Sequence, residues 1–311
     1  MKKTKNIAII CAVTGVCVLT TAALASYQTA NGYDTLKKSI LNTIDYKNCT
    51  VSAGVKMNFD GTELMNGSFI RKFDSDNKMS YTKSTESGVG SSGSSLESYN
   101  TNDYRYYLDS DNYFVKYPNS YSEFPQNLWG IDSADRKTVD KVVRFMELAA
   151  DTVVGDLRNN FVCTEDADDH ASYSLTLDSV QIPEIVNAGL SMVFSMSNNA
   201  SGSYMIYDEN GNQVEYQYTE DDLQYYTSKL GNDPVVDTLN LNYSVNKDGT
   251  FRDGNMTVVF RGTDSNGDSH TMTFDINLGI SDIGTTSITP VEETGAVIKT
   301  YDDEGNLVDT K

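Results

Sequence analysis

Alternation of apolar and polar residues is the main pattern in the chain, and it predicts an antiparallel sheet. Every second residue from Val51 to Phe59 is apolar, which is typical of a strand with one buried face. Asp60-Gly61 marks a hairpin, after which residues 64–73 return as a second strand. The same reasoning predicts strands at 78–85, 98–108, 112–117, 161–163, 172–177, 238–246, 255–263 and 269–278, and a hairpin at 203–218.

Helical spacing of apolar residues predicts amphipathic helices between these strands. Residues 33–46 carry one apolar stripe, residues 133–160 carry a broad apolar face, and a second long helix starts at Ile182-Pro183, where proline is tolerated in the first turn. A short helix is predicted at 219–229. Strands and helices do not alternate regularly, which argues against a parallel doubly wound sheet.

The predicted fold class is therefore α+β. We expect a large curved antiparallel sheet, a half-barrel, covered on its concave face by amphipathic helices. Residues 26–283 form one domain in this interpretation, with a flexible Gly/Ser-rich loop at 87–95. Residues 284–311 form a polar C-terminal tail with an edge hairpin near Glu304-Gly305-Asn306.

The N-terminus indicates export. Lys2, Lys3 and Lys5 precede an uncharged run at 7–25, which is typical either of a signal peptide cleaved after Ala25 or of an uncleaved single-pass membrane anchor. Both alternatives place residues 26–311 outside the cytoplasm. The charge follows the same division. The chain has a net charge of −20, whereas its first 25 residues contain three lysines and no acidic residue. Such an acidic surface repels phosphate backbones, which argues against a nucleic-acid partner.

The order of elements resembles the lipoprotein-carrier superfamily of periplasmic and cell-wall proteins. The resemblance rests on the helix at 33–46 that leads into the strand at 51–59, on the helices at 139–157 and 182–196, and on the final three strands. It also extends to membrane-anchored envelope proteins of Gram-positive bacteria. It implies an apolar cleft between sheet and helices that holds lipid or acyl chains. The chain lacks the acylation motif of the lipid-modified members, and no functional residue carries over.

The apolar residues that would line such a cleft alternate on the strands or share a helix face. They are Met57, Phe59, Phe69, Phe145, Met146, Met192 and Phe194. The same residues also fit an ordinary core. A second set is aromatic, since tyrosines crowd residues 99–121, and Tyr106, Tyr113 and Trp129 are the candidates for stacking a sugar or peptide at a surface. Cross-strand aromatic pairing explains that set equally well.

Residues with reactive side chains are few. Cys49 and Cys163 are the exported cysteines and could form a disulfide or remain separate thiols. Asp264, Asn266, Asp268 and Asp275 approach a calcium-loop spacing, but the loop glycine is misplaced and a hairpin turn explains them. The acidic run at 165–170 ends in His170 and is typical of a solvated loop. We therefore predict no catalytic residue, no metal and no cofactor.

These observations favour a non-catalytic extracytoplasmic binding or carrier-like protein that holds a lipid or another apolar ligand. Its partners would be the membrane, through the N-terminal segment, and a lipid or cell-wall ligand. The alternative is a structural or sensory envelope ectodomain that contacts cell-wall polymer or a partner protein. An exported hydrolase is the third interpretation, which would require converging carboxylates or a histidine in a cleft.

Overall fold

The computed structural model describes residues 31–88, 91–108, 113–119, 124–128, 160–184, 187, 203–207, 213–217, 222–231, 233–293, 296–302 and 306–311. The helices are α1 (Asn31–Asn42), which continues into a 3-10 turn (Thr43–Asp45), and α2 (Asp222–Ser228). The strands are β1 (Asn48–Phe59), β2 (Thr62–Asp74), β3 (Met79–Gly88), β4 (Ser91–Asn100), β5 (Tyr104–Leu108), β6 (Phe114–Pro118), β7 (Val162–Asp166), β8 (His170–Asp178), β9 (Ser203–Tyr207), β10 (Gln213–Gln217), β11 (Val235–Asn246), β12 (Phe251–Thr263), β13 (Ser269–Ser281), β14 (Ile298–Tyr301) and β15 (Leu307–Thr310).

One open sheet of 13 strands dominates the described residues. Its order is β15-β14-β6-β5-β4-β3-β2-β1-β13-β12-β11-β8-β7, while β9 and β10 form a separate hairpin. Neighbouring strands pair antiparallel, apart from β14 and β6, which run parallel. The pairing of β1 with β13 joins the two neighbouring strands that are farthest apart in sequence, with Thr50 opposite Ser281.

The prediction of an α+β fold with helices covering the concave face was wrong. Among the described residues, strands far outnumber helical residues, and the only helices are α1, α2 and the 3-10 turn. The helices predicted at 133–160 and 182–196 lie outside the described residues, except for a few positions at their ends. Helices do form within the segments predicted at 33–46 and 219–229, but the sheet also includes segments whose sequences carry no strand pattern.

The Gly/Ser-rich stretch at 87–95 is one of these segments. Predicted as a flexible loop, it contributes the end of β3 and the first residues of β4. Strand pairing uses the backbone, which serine and glycine provide as well as any residue. Gly88 also allows a close approach that a side chain would prevent, because a Cβ atom there would lie 2.3 Å from the Leu64 carbonyl oxygen.

The core lies on one face of strands β8, β11, β12, β13, β1 and β2. We call these six strands the core region and this face of the sheet the core face. Each cross-strand row places apolar side chains together, as where Leu241 pairs with Met256 and Met256 with Ile276. Helix α1 covers part of this face by burying Tyr33 and Leu36, and the Tyr243 hydroxyl donates to the Gly32 carbonyl at 2.5 Å. The opposite, outer face of these strands is polar, as an antiparallel sheet with one solvated face requires.

Strands β3 to β6, which we call the tyrosine region, differ from this arrangement. On β3 the core-face positions hold Ser80, Thr82 and Ser84, whereas Tyr81 pairs with Tyr99 of β4 on the outer face, with ring centroids 4.8 Å apart. On β5 and β6 large side chains return to the core face: Tyr107, Val115 and Tyr117. The outer face, which is polar in the core region, therefore becomes aromatic from β3 onward.

Candidate functional site

An incompletely covered patch of apolar side chains lies in the middle of the core face. It spans β2, β1 and β13, where Ala53 pairs with both Phe69 and Leu278. We call it the apolar strip, and all of its members are half-buried: Val51, Ala53, Phe69, Phe274, Ile276 and Leu278. Because Val51 lies opposite Ile280, the strip extends about 20 Å along the strands from Phe274, and it is about 10 Å across them.

Both ends of the strip are fully covered, in contrast to its middle. At one end Phe73 is wholly buried and stacks on Phe124 with ring centroids 5.8 Å apart. At the other end Phe59 is buried beside Tyr226, with centroids 5.2 Å apart, and Met272 is also wholly buried. The strip is therefore the partly exposed middle of one core cluster, against which Val51, Phe274, Ile276 and Leu278 pack.

The rim of the strip toward the tyrosine region is polar. Arg71 lies opposite Val51 in the register, with its guanidinium carbon 5.5 Å from the Phe73 ring centroid. On the next strand, Thr82 and Ser84 continue the core face beside Arg71 and Phe69. An amphiphilic ligand on the strip would thus meet apolar side chains along β13 and β1, and a cation and hydroxyl groups beyond β2.

The predicted cleft residues divide into three groups. Met57 and Phe59 are buried in the packed core at one end of the strip, with 3% and 8% of their surface exposed. Phe69 belongs to the strip itself. Phe145, Met146, Met192 and Phe194 lie outside the described residues. Sequence reasoning did not name Val51, Phe274, Ile276 or Leu278 as cleft residues, because their alternation places them on one face but only the pairing of β1 with β13 brings them together.

Tyr106 is not a surface aromatic. It is 8% exposed, and its hydroxyl donates to Glu293 Oε1 at 3.0 Å. The same carboxylate oxygen lies 2.8 Å from Lys116 Nζ. Tyr113 is half-buried under the Lys299 ammonium group, 3.8 Å from the ring centroid, and Trp129 lies outside the described residues. In the tyrosine region Tyr104 is the more exposed ring, with 40% of its surface accessible.

Cys49 and Cys163 are not joined to each other. Cys49 is buried in the core and Cys163 is exposed on β7, and both are free thiols. Burial raises the pKa of Cys49 to about 11, because the thiolate would be poorly solvated there. Cys49 therefore packs as a small apolar side chain.

His270 lies at one end of the sheet between two carboxylates. Its Nδ1 is 2.8 Å from Asp60 Oδ2, its ring stacks on Phe59, and its Nε2 is buried, 3.7 Å from Asp264 Oδ2. The hydrogen bond with Asp60 raises the pKa of His270 above its usual value, although burial opposes this effect. Because Nε2 has no access to solvent, this nitrogen cannot meet a substrate in the conformation described.

The residues with calcium-loop spacing form a turn. Asp264 Oδ1 accepts the backbone N–H groups of Asn266 and Asp268, at 2.8 and 3.0 Å. Asp275 lies away from them on β13, where it accepts a hydrogen bond from Thr257. Among the residues that the structure describes, no group of three or more His, Cys, Asp or Glu side chains is placed to hold a metal.

The acidic run at 165–170 forms surface ion pairs. Asp169 contacts the His170 ring at 2.7 Å and Arg252 at 3.1 Å, while Asp166 pairs with Lys247. These contacts fasten the β7–β8 hairpin to the neighbouring β11–β12 turn.

A separate open cleft of about 560 Å³ lies near the ends of β11, β12 and β13, and its lining includes Asp233, Arg261, Thr263 and Ser269. Arg261 is already paired with Asp237 at 2.9 Å. This cleft is polar and does not reach the apolar strip.

Comparison with known proteins does not assign a family to the chain. No family model matches, and no curated protein matches. Among solved structures, the chain is similar to a structure of lipovitellin that describes its lipid–protein interactions. The two share 6% identity, with a TM-score of 0.25 over 80% of this chain. The chain spans only 26% of the length of lipovitellin. It is also similar to the N-terminal β-barrel domain of Pseudomonas aeruginosa OprF, with 6% identity and a TM-score of 0.16, covering 76% of this chain and 99% of that domain.

Proposed function

We propose that the chain is a non-catalytic extracytoplasmic binding protein whose apolar strip accommodates an acyl chain or a similar apolar ligand. The observation that carries the proposal is the incomplete burial of six apolar side chains in the centre of the sheet, between two ends that are fully packed. Apolar side chains left partly exposed as a contiguous group mark sites where another apolar group binds.

The proposed extracytoplasmic location rests on the N-terminal sequence. The basic residues and the uncharged run at 7–25 support export, with the segment either retained as an anchor or removed. That segment lies outside the described residues, among which no helix is both long and apolar enough to cross a bilayer.

The experiment is binding of a pyrene-labelled fatty acid to the purified full chain, combined with mass spectrometry of organic extracts from the same preparation. Replacement of Ile276 by Gln puts a polar amide into the strip, so we expect affinity to fall by about tenfold or more. Absence of both probe binding and extracted acyl species would contradict the proposal.

The control is Leu175→Ala. Leu175 lies on the same face but is buried on β8, three strands away from β13, so the substitution lowers stability without altering the exposed strip. Equal loss of probe binding in Ile276→Gln and Leu175→Ala would mean that stability, not the strip, controls binding.

The structural or sensory alternative keeps one observation in its favour. Tyr104 is exposed, and Lys116 Nζ lies 4.1 Å from its ring centroid, so a ring and a cation are presented together. Replacement of Tyr104 by Ala should then reduce pelleting with isolated cell wall. Unchanged pelleting would leave this alternative without support, and Tyr106→Ala is unsuitable for the test because Tyr106 is buried.

A further inference from the structure

A row of paired residues crosses the outer face from β1 to β6. Each member lies opposite the next on the neighbouring strand, so the row runs perpendicular to six strands. We call it the tyrosine row: Thr50, Lys72, Tyr81, Tyr99, Tyr106 and Lys116. The C-terminal residues 286–293, which we call the strap, are fixed at both ends of this row.

The first end of the strap is fixed at β1 and β2. Thr286 donates its backbone N–H to Asn48 Oδ1 at 2.7 Å, and its carbonyl accepts from Asn48 Nδ2 at 3.0 Å. Its hydroxyl lies 2.9 Å from that of Thr50. Lys72 Nζ donates to the Ser287 carbonyl, so the strap leaves this anchor along the row.

The second end is fixed at β5 and β6 through one carboxylate. Glu293 accepts hydrogen bonds from Tyr106 and Lys116 through Oε1, and Lys311 lies 3.4 Å from Oε2. Hydrogen bonds from Lys116 and Tyr106 lower the pKa of Glu293 to about 2. The carboxylate is therefore ionised throughout the neutral range.

The strap has little slack between these ends. Four to five strand spacings separate them, or about 19–24 Å. Seven residue steps reach about 23–25 Å when fully extended. Ile288 and Val291 are half-buried between the anchors, whereas Thr289 and Pro290 are exposed. Thr286 and Ile288, and then Val291 and Glu293, are thus the less exposed positions, with a break at Thr289-Pro290, so the strap keeps one side against the sheet.

The strap adds contacts to a region whose own strands are short. On the core face β3 contributes only Ser80, Thr82 and Ser84, although Tyr107 and Val115 continue that face on β5 and β6. Strands β5 and β6 have only five residues each, and strands this short are marginal alone. Ile298, just beyond the strap, is 1% exposed and pairs with Phe114 on β6.

We propose that the strap is a taut latch which holds the tyrosine region closed, and that release of its Glu293 end opens β5 and β6, with Tyr106 and Lys116, while the core region stays folded. Release would free the edge of β6 that now pairs with β14. The latch depends on strap length as well as on Glu293, and these two requirements can be tested separately.

The length test compares a deletion with an insertion in the full chain, read by hydrogen exchange. Deleting Thr289 and Pro290 limits the reach to about 17–18 Å, which is too short for both anchors. We expect exchange in β5 and β6 to accelerate by about tenfold or more, with β11–β13 unchanged. Inserting Gly-Ser after Thr289 adds slack and should leave both regions protected.

The anchor test compares Glu293→Gln with Glu97→Gln. Glu97 lies in the same region and accepts a hydrogen bond from Tyr99 at 3.0 Å, but it does not touch the strap. Faster exchange in β5 and β6 for Glu293→Gln alone supports the latch. Equal effects of the two substitutions, equal effects of deletion and insertion, or acceleration spread evenly over both regions would overturn it.

Discussion

The core region and the tyrosine region belong to one continuous sheet, yet their outer faces differ. In the core region Met57 and Leu241 are buried on the core face, and the outer face is polar. In the tyrosine region the outer face is aromatic, and Tyr106 on that face donates a hydrogen bond to Glu293 of the strap, while Tyr107 and Tyr117 lie on the core face. One sheet can therefore be apolar on a single face in one part and on both faces in another.

The register between β2 and β3 determines this difference. Lys72 lies opposite Tyr81, so both point to the outer face, and a slip of one residue would move Tyr81 to the core face. The turn between these strands fixes the register. The Asp74 carboxylate accepts the Asn77 backbone N–H at 3.1 Å and its side-chain amide at 2.7 Å, and Lys78 adopts a positive φ of 52°.

The strongest way to break the core region is to remove a buried side chain from its centre. Met272 is wholly buried, so Met272→Ala should cost about 2–5 kcal/mol of unfolding free energy. Thr273, its neighbour on the outer face, provides the control, and Thr273→Ala should cost less than about 1 kcal/mol. Denaturant unfolding measures both, and similar costs would contradict the assignment of the two faces.

A smaller effect is expected at the turn that sets this register. Asp74→Ala leaves the Asn77 donors without their acceptor and should cost about 2 kcal/mol. Hydrogen exchange should show the loss in β3 and β4 more than in β11 and β12. Asp76→Ala, in the same turn, is the control. Equal effects of the two substitutions would mean that the Asp74 contacts do not fix the register.

Much of the core region could be predicted from its sequence, because its signals are local. Asp60-Gly61 has positive φ at both residues, 46° and 80°, as a tight hairpin of this type requires. Alternation likewise located most of β1, β2, β8 and β11–β13. The strap and the strip could not be predicted in this way. Thr50 and Thr286 are 236 positions apart, and no local pattern records that they meet.

The tyrosine region should be sensitive to acid in a way that depends on Glu293. The pKa of this carboxylate is depressed in the folded protein, so its contribution is present above its ordinary value near 4.5 and is lost as pH falls toward about 2. Glu293→Gln should cost about 1 kcal/mol at neutral pH, since partial exposure screens the interaction. The difference in unfolding free energy between wild type and Glu293→Gln should vanish near pH 2. A difference that stays constant with pH would contradict the role given to the Glu293 carboxylate.

The smallest expected effect concerns His270 at the end of the core region, and it has the opposite sign. Its pKa is raised in the folded protein, so its contribution is complete below the ordinary value of 6.5 and is lost as pH rises through the folded value. Thermal unfolding should show that His270→Asn is less stable than wild type at about pH 6, with the two converging at higher pH. A difference in stability between wild type and His270→Asn that grows at higher pH would be inconsistent with the Asp60–His270–Asp264 arrangement.

The most direct test of the comparison and of the proposed function is hydrogen exchange of the full chain with and without oleate. If the apolar strip is the binding site, oleate should slow exchange in β1, β2 and β13 and leave β4, β5 and β6 unchanged. Protection confined to the tyrosine region, or no protection in either region, would contradict the account.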